Sequence, residues 1–174
     1  MKILPLAACP DWLDACVRLY EEAFPPAERR TATGWKLQIA TRPRFDVHVL
    51  EDEAGFAGFI SSWQLSRCRY VEHFAVLPER RSGGIGTQAL AAFLRMCGDT
   101  PVVLEVELPE SELAVRRIGF YRRNGFVLSE LDYLQPPYEA GGELLPLRLM
   151  TYGEVERLDQ VAREIHRVVY QYED

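Results

Sequence analysis

The chain contains 174 residues, a length typical of a single domain that buries one hydrophobic core. Its hydrophobic fraction of 48% and charged fraction of 26% are ordinary for a soluble globular protein. The formal net charge of -6 excludes a general attraction to nucleic acid or to an anionic membrane surface.

The cysteines of the chain give no sign of a disulfide framework or of a metal site. Cys9, Cys16, Cys68 and Cys97 form no CxxC pair and show no His/Cys ligand spacing. In a chain of this size such cysteines are typical of buried, reduced thiols in a reducing compartment. No apolar run is long enough to cross a membrane. We therefore expect a cytoplasmic protein.

The first half of the chain alternates between helical and strand patterns. The apolar stretch 1–7 is a candidate strand, and a helical stripe over 11–24 ends at Pro25-Pro26. A weaker helical segment covers 33–40. The period then changes to two, which predicts strands at 45–49, 56–65 and 70–77. The first two of these strands form a predicted hairpin around Gly55.

The second half of the chain opens with a glycine-rich loop. It is followed by predicted helices at 85–96 and 112–124 and by predicted strands at 102–108, 126–134 and 144–150. A capping box, Thr151-x-x-Glu154, and an apolar stripe over 153–172 predict a terminal helix. That helix either packs on its own domain, which we favour, or pairs with a second copy as a short coiled coil. The elements together indicate an α+β fold with at least one strand–helix–strand crossover.

The junction between the strand at 70–77 and the next helix carries the strongest chemical signal. It reads Arg80-Arg81-Ser82-Gly83-Gly84-Ile85-Gly86-Thr87. A glycine-rich turn at a helix N-terminus binds anions, because exposed amides and the helix dipole favour negative charge. The loop lacks the Lys-Ser/Thr of a nucleotide-triphosphate loop and the GxGxxG spacing of dinucleotide folds. Taken alone, it also fits a turn that merely starts a helix.

Together with two further segments, this loop resembles motif A of the GNAT superfamily of acetyltransferases, Arg/Gln-x-x-Gly-x-Gly/Ala. The matching residues are Arg81-Ser82-Gly83-Gly84-Ile85-Gly86. The segment 72–78 is similar to the fourth strand of the family, and 117–126 is similar to its motif B. Phe24-Pro25 followed by Glu28-Arg29-Arg30 resembles the loop between its first two helices. The resemblance covers about residues 1–150.

The resemblance implies one domain over 1–174, with a GNAT core at 1–150 and a helical extension at 151–174. The implied fold has a central mixed, mostly antiparallel sheet of about seven strands, flanked by helices and splayed between the fourth and fifth strands. An extra helix is expected at the C-terminus.

The implied cofactor is acetyl-CoA. Its pantetheine arm would pair with the main chain of Phe74, Ala75 and Val76. Its pyrophosphate would bind main-chain amides in the motif A loop, at Arg81, Ser82, Gly83, Gly84, Ile85, Gly86 and Thr87. Many members of the family carry an asparagine, which contacts the pantetheine arm, where this chain has Ala114. That contact is therefore missing or comes from elsewhere.

Acetyl transfer to an amine requires a proton acceptor and a proton donor for the leaving thiolate. Glu72 is our candidate base, and its alternative role is a surface or arginine-paired glutamate. Glu105 and Glu107 are weaker candidates for the base. Tyr121 in motif B is the candidate acid, and its alternative role is that of a core aromatic. The chemistry requires no metal and no acyl-enzyme.

The acceptor side is less well specified by the sequence. The loop near Phe24, Glu28 and Arg29 and the loop near Tyr133 and Tyr138 are where family members build the acceptor pocket. We expect an acetyltransferase that acts on a primary amine of a small molecule, as a monomer or homodimer without nucleic-acid or membrane partners. The alternatives are a protein or peptide N-acetyltransferase and a non-catalytic acyl-CoA-binding module.

Overall fold

The computed structural model describes residues 1–81, 83–139 and 141–173. The described residues form an α+β fold of helices and strands. The helices are α1 Leu13–Ala23, α2 Ala32–Thr41, α3 Ile85–Cys97, α4 Glu112–Arg123 and α5 Leu158–Ile165. The strands are β1 Lys2–Pro5, β2 Phe45–Asp52, β3 Gly55–Gln64, β4 Arg69–Val76, β5 Val102–Glu107, β6 Val127–Leu128, β7 Tyr133–Gln135 and β8 Leu145–Tyr152.

The strands form a mixed sheet with the order β1-β2-β3-β4-β5-β8-β6, and β7 also pairs with β8. The predicted fold class is confirmed, with eight strands rather than about seven. The extra strand arises because the predicted strand at 126–134 is divided into β6 and β7. Between them, Arg148 Nη1 donates to the carbonyls of Glu130 and Leu131, both at 3.0 Å, and to the Asp132 carboxylate at 2.9 Å. These bonds hold a bend where the pattern predicted continuous strand.

The first of two compact units consists of Met1–Trp63 and Glu72–Gly98. Here β1 pairs antiparallel with β2, and β2 pairs antiparallel with β3. Helices α1 and α2 contribute fully buried Tyr20 and Trp35, whose rings stack 4.3 Å apart. Thr31 caps α2 by accepting a hydrogen bond from the Gly34 amide, which fixes where that helix begins.

The second unit consists of Gln64–Val71 and the chain from Asp99 onward. The beginning of β4 pairs in parallel with β5, from Arg69 opposite Val102 to Val71 opposite Leu104. Strand β5 also pairs antiparallel with β8, which pairs antiparallel with β6 and β7. Ser111 caps α4 by accepting from the Ala114 amide at 3.1 Å.

The C-terminal segment differs from its predicted start. Thr151 lies in β8, and α5 begins only at Leu158, after Arg157, so the predicted capping box does not form. The pairing of β8 with β5 takes Thr151 away from the helix. The helix packs in cis, the arrangement that the sequence favoured, because Val161 and Ile165 are buried within the second unit. A π-helical turn, His166–Tyr170, extends it. Across the described parts of the chain, no helix is both long and apolar enough for a membrane span.

Candidate active site

The loop between β4 and α3 is held to the first unit by main-chain and arginine contacts. The Leu77 amide donates to the Ala57 carbonyl at 2.9 Å. Arg81 Nε donates back to the Val76 carbonyl at 3.1 Å. Because both bonds tie the loop to strand ends, the start of α3 is fixed relative to β4. Ser82, one of the predicted cofactor-binding residues, lies outside the described residues.

Two glycines in this loop have a left-handed backbone that favours glycine. Gly83 has φ 84° and Gly84, the N-cap of α3, has φ 77°. An added Cβ at either glycine would find no heavy atom within 4 Å. Both residues are exposed, as is Thr87, while Ile85 and Gly86 are half-buried. The backbone here is therefore open to a ligand that approaches closely.

The charges around the loop favour an anion. The first turn of α3 contains no acidic residue, and the first amides of a helix have no partner inside it. Arg80 is ion-paired with Asp52 and lowers the pKa of that carboxyl mainly through this contact. Arg81 is exposed and uses only Nε on the Val76 carbonyl. Arg81 is thus the cation closest to the loop that carries no carboxylate partner among the described residues.

The strand that precedes the loop exposes part of its main chain. The side chain of Glu72 is 0% exposed although the residue as a whole is half-buried, so its accessible surface belongs to the backbone. Phe74 is half-buried, whereas Ala75 and Val76 are buried. A Cβ on Gly58 would lie 2.1 Å from the Ala75 carbonyl oxygen, so β3 needs glycine to approach β4 there.

The Glu72 carboxylate accepts bonds from three surrounding elements. Arg30 Nη1 forms an ion pair with Oε1. Trp63 Nε1 donates to Oε2 at 2.8 Å, and Gln38 Nε2 donates to the same oxygen at 3.3 Å. The candidate base is therefore paired with an arginine, a contact that is compatible with either of the roles considered for it.

Burial and the residues that contact the Glu72 carboxylate change its pKa in opposite directions. Burial, the largest single influence, raises the pKa, whereas Arg30, His73 and the bonds from Trp63 and Arg30 lower it. The net direction is downward, so the carboxylate is ionised at neutral pH. The pKa of His73 is lowered by burial.

The predicted acceptor loop lies against the strand residue next to Glu72. His73 Nε2 donates to the Glu28 carbonyl at 3.1 Å, and Phe24 packs its ring 4.5 Å from that imidazole. Arg29 Nε donates to the Phe24 carbonyl at 2.9 Å, and its Nη1 donates to the Arg30 carbonyl at 3.2 Å. Arg29 thus stabilises the loop itself.

The candidate acid lies in the second unit. Tyr121 is 9% exposed, and its ring makes edge contacts with Phe120 at 5.2 Å and Phe126 at 5.5 Å. Within the described residues its hydroxyl has no hydrogen-bond partner. Burial raises the pKa of Tyr121 to about 12. The phenol therefore stays protonated across the physiological range.

The other predicted acceptor residues belong to a tyrosine–glutamate cluster in the second unit. Tyr133 donates to Glu105 Oε1 at 2.5 Å, and Tyr170 donates to Glu105 Oε2 at 2.8 Å. Gln135 Nε2 donates to the Tyr170 hydroxyl at 2.6 Å. The Tyr138 ring lies 5.1 Å from that of Tyr170.

Sequence reasoning missed several of the residues that complete these clusters. The sequence places Arg30 only in the segment that resembles the loop between the first two helices of the family, and it gives no sign that Gln38, Trp63 or Tyr170 take part. The only signal for Tyr170 was its place in the terminal helical segment, which indicates packing rather than a polar contact.

The middle of the chain matches one family of known proteins. The family model described as Acetyltransferase (GNAT) domain matches residues 43–128. That range contains β2 to β5, α3, α4 and β6, and hence both the motif A loop and Tyr121. A search of curated protein sequences found no significant match.

One solved structure matches almost the whole chain. It is a protein from Bacteroides thetaiotaomicron assigned to the GNAT family of acetyltransferases. It is 34% identical, with a TM-score of 0.94, over 99% of this chain and 100% of that one. Since both chains are covered from end to end, the match includes the C-terminal extension.

Two more distant structures share the fold. An aminoglycoside 6'-N-acetyltransferase complexed with coenzyme A is 16% identical, with a TM-score of 0.62, over 90% of this chain and 99% of that one. The ribosomal-protein-S18-alanine N-acetyltransferase of Escherichia coli is 16% identical, with a TM-score of 0.64, over 90% and 96%. The motif A loop, the mixed sheet and the end-to-end match to the Bacteroides protein lead to one assignment. The chain belongs to the GNAT superfamily of acetyltransferases.

Proposed function

We propose that this acetyltransferase moves the acetyl group of acetyl-CoA to a primary amine of a small-molecule acceptor by direct attack. The observation that carries the proposal is the open glycine loop at the start of α3, with Gly84 at φ 77° and free space where a Cβ would stand. Membership of the GNAT superfamily supports acetyl-CoA as the donor.

The residues of the first unit fit the donor. The main-chain amides from Gly83 to Thr87 suit a pyrophosphate, because these residues are exposed or half-buried and no acidic side chain in the first turn of α3 opposes it. Arg81 adds positive charge, and Ser82 belongs to the same proposed segment. The main chain of half-buried Phe74, with that of Ala75 and Val76, would pair with the amide-containing pantetheine arm. Bound acetyl-CoA supplies a thioester carbonyl that an amine can attack.

The proposed proton acceptor is Glu72, acting through a bridging water or a neighbouring hydrogen-bonded group, because its side chain is 0% exposed and out of direct contact with an acceptor. An alkyl ammonium has a pKa of about 10 and no lone pair, so the acceptor must attack as the free amine, which has already lost one proton to solvent. In the tetrahedral adduct that forms, the nitrogen carries a positive charge and is far more acidic than the starting ammonium. An ionised carboxylate can accept the proton at that stage. The lowered pKa makes Glu72 a modest base, which suits this late transfer better than deprotonation of a free ammonium.

The proposed proton donor is Tyr121. Its raised pKa keeps the phenol protonated, so it can donate a hydrogen bond or a proton to the departing thiolate. Direct attack is supported by the thiols of Cys16 and Cys68. Both are buried, and burial raises the pKa of each to about 12, which leaves too little thiolate for nucleophilic catalysis.

The acceptor is proposed by chemical class. Structures with this fold include spermidine and aminoglycoside N-acetyltransferases, which act on amines of small molecules. The Phe24, Glu28 and Arg29 loop and the Tyr133 and Tyr138 loop are the proposed acceptor contacts. A protein N-terminus is the second candidate, because the Escherichia coli ribosomal-protein-alanine enzyme also shares the fold.

We further propose how the active protein is organised. Residues 1–174 would act as one acetyltransferase domain, with the GNAT core at 1–150 and the extension at 151–174. We propose a cytoplasmic monomer or homodimer without nucleic-acid partners. The net charge of -6 and the reduced state of the described cysteines support this assignment.

The test is release of coenzyme A thiol from acetyl-CoA over a panel of polyamines, aminoglycosides and Ala- or Lys-bearing peptides. We expect turnover with small amines, and we expect Glu72→Gln to lower kcat by about 10²-fold. Exposed Glu53→Gln serves as the control. A protein that binds acetyl-CoA and acetylates nothing would be a binding module. Turnover with peptides alone would replace the small-molecule acceptor by a protein.

A further inference from the structure

The buried carboxylate of Glu72 is the meeting point of three elements that the sequence separates widely. Arg30 comes from the loop before α2, Gln38 from α2 itself and Trp63 from β3. The Glu72 side chain is 0% exposed and that of Arg30 is 14% exposed. In such a setting the guanidinium is the partner that balances the charge of the carboxylate.

The same loop is held to β4 by two successive strand residues. Glu72 holds it through the Arg30 side chain, and His73 holds it through the Glu28 carbonyl. Arg30 is fixed further, because its amide donates to the Tyr20 hydroxyl at 2.8 Å. The main chain of Arg30 is therefore held where its side chain reaches the carboxylate.

We propose that Arg30 is a positioning residue of the transfer reaction, which aligns the Glu72 carboxylate and fastens the acceptor loop, residues 24–30, to β4. The inference rests on the proposed function, in which Glu72 accepts the proton and this loop contacts the acceptor. Arg30 acts through Glu72 and the loop, and it needs no contact with the reacting atoms.

The groups around Glu72 predict the effect of removing Arg30. The charged or titratable neighbours are Arg30 from the loop, His73 from the strand and Tyr20 from α1, whereas Gln38 and Trp63 are neutral donors. Without Arg30, burial would dominate and the pKa of Glu72 would rise. The carboxylate would then be protonated, and lost as a proton acceptor, at a higher pH than in the wild type.

The experiment is the pH profile of kcat/KM, together with the acceptor KM, for wild type, Arg30→Gln, Arg30→Lys and Arg42→Gln. Arg42 is an exposed arginine at the end of α2 and serves as the matched control. We expect Arg30→Gln to move the acid limb upward by about one to three pH units. We also expect it to raise the acceptor KM by about tenfold, equivalent to about 1.4 kcal/mol. Calorimetric binding of acetyl-CoA should stay as in wild type.

The lysine variant keeps the inference falsifiable if Arg30→Gln does not fold. Lysine retains the charge but loses the planar fork, so the acid limb should stay while the acceptor KM rises. An acid limb and KM of wild-type value in Arg30→Gln, or a limb that moves in Arg30→Lys, would overturn the inference. Those results would leave the proposed function standing. A wild-type protein without turnover would overturn the proposed function and this inference with it.

Discussion

At neutral pH the Glu72 carboxyl is ionised and the Tyr121 phenol is protonated, because the surroundings of the two side chains differ. Arg30 and the donors around Glu72 outweigh burial and lower the pKa of the carboxyl. At Tyr121, burial outweighs the opposing charge of Arg117 and raises the pKa to about 12. An ionised carboxylate and a protonated phenol are what amine acetylation needs from a base and an acid.

The lowered pKa of Glu72 also stabilises the fold above the ordinary pKa of a glutamate. That contribution is lost as pH falls through the folded-state value.

Tyr121→Phe tests the role of the phenol at this residue. Phenylalanine keeps the ring contacts with Phe120 and Phe126 and loses only the hydroxyl. We expect kcat to fall by about 10²-fold while the free energy of unfolding changes by less than about 0.5 kcal/mol. Initial rates and thermal unfolding measure both quantities.

The control for this variant is Tyr152→Phe, a half-buried tyrosine whose ring lies 5.5 Å from that of Phe126. It should leave kcat unchanged. Since the pKa of Tyr121 is about 12, the wild-type rate should show no loss from phenol ionisation up to about pH 10. A Tyr121→Phe enzyme with wild-type kcat would make Tyr121 a core aromatic.

The sequence identified the position of Glu72 but not its partners. Glu72 is the candidate because it is an acidic residue in the segment that resembles the fourth strand of the family. Arg30 and Gln38 lie 42 and 34 residues away in the chain, so no local pattern could show that they converge on its carboxylate. Which residues surround a buried charge is decided by tertiary packing.

Among the elements, those with strong end signals were predicted closely. Helix α3, predicted at 85–96, runs from Ile85 to Cys97 because glycines at both of its ends adopt positive φ. The prediction of one continuous strand at 126–134 was wrong because Arg148, from another strand, holds the bend between β6 and β7. The predicted start of the terminal helix was wrong because Thr151, the first residue of the predicted capping box, pairs with β5 as part of β8.

The π-helical turn after α5 positions a tyrosine hydroxyl for several hydrogen bonds. It brings Tyr170 to Glu105 and Gln135, where the hydroxyl donates to the first and accepts from the second. Tyr170→Phe removes both bonds, together with the hydrogen bond between the Tyr170 and Tyr70 hydroxyls at 3.2 Å, inside a buried cluster. We expect it to lower the free energy of unfolding by about 1–3 kcal/mol, measured by urea denaturation.

Tyr172→Phe is the matched control for this change. Tyr172 is half-buried, lies two residues further on and makes an edge contact with His166. Its loss of a hydroxyl should change stability by less than about 0.5 kcal/mol. Equal effects of the two substitutions would show that the cluster around Glu105 contributes nothing specific to stability.

For the molecule as a whole, the net charge has the same sign as the charge of the proposed donor. The chain carries -6 and the proposed donor is itself a polyanion, so overall charge cannot drive binding. Affinity must come from the local geometry of the loop, where amides, the α3 dipole and Arg81 outweigh the distant carboxylates. A substitution of one glycine in this loop should therefore remove much of the affinity for acetyl-CoA.

The most direct test of the proposed donor site is a calorimetric titration of acetyl-CoA into wild type, Gly84→Val and Gly141→Val. Gly84 and Gly141 have φ of 77° and 85°, and a Cβ at either meets no heavy atom within 4 Å, so their backbone strain is matched. We predict saturable binding that Gly84→Val weakens by about tenfold or more and Gly141→Val leaves unchanged. Binding that Gly84→Val retains at wild-type strength, or no binding by the wild type, would contradict the proposed site.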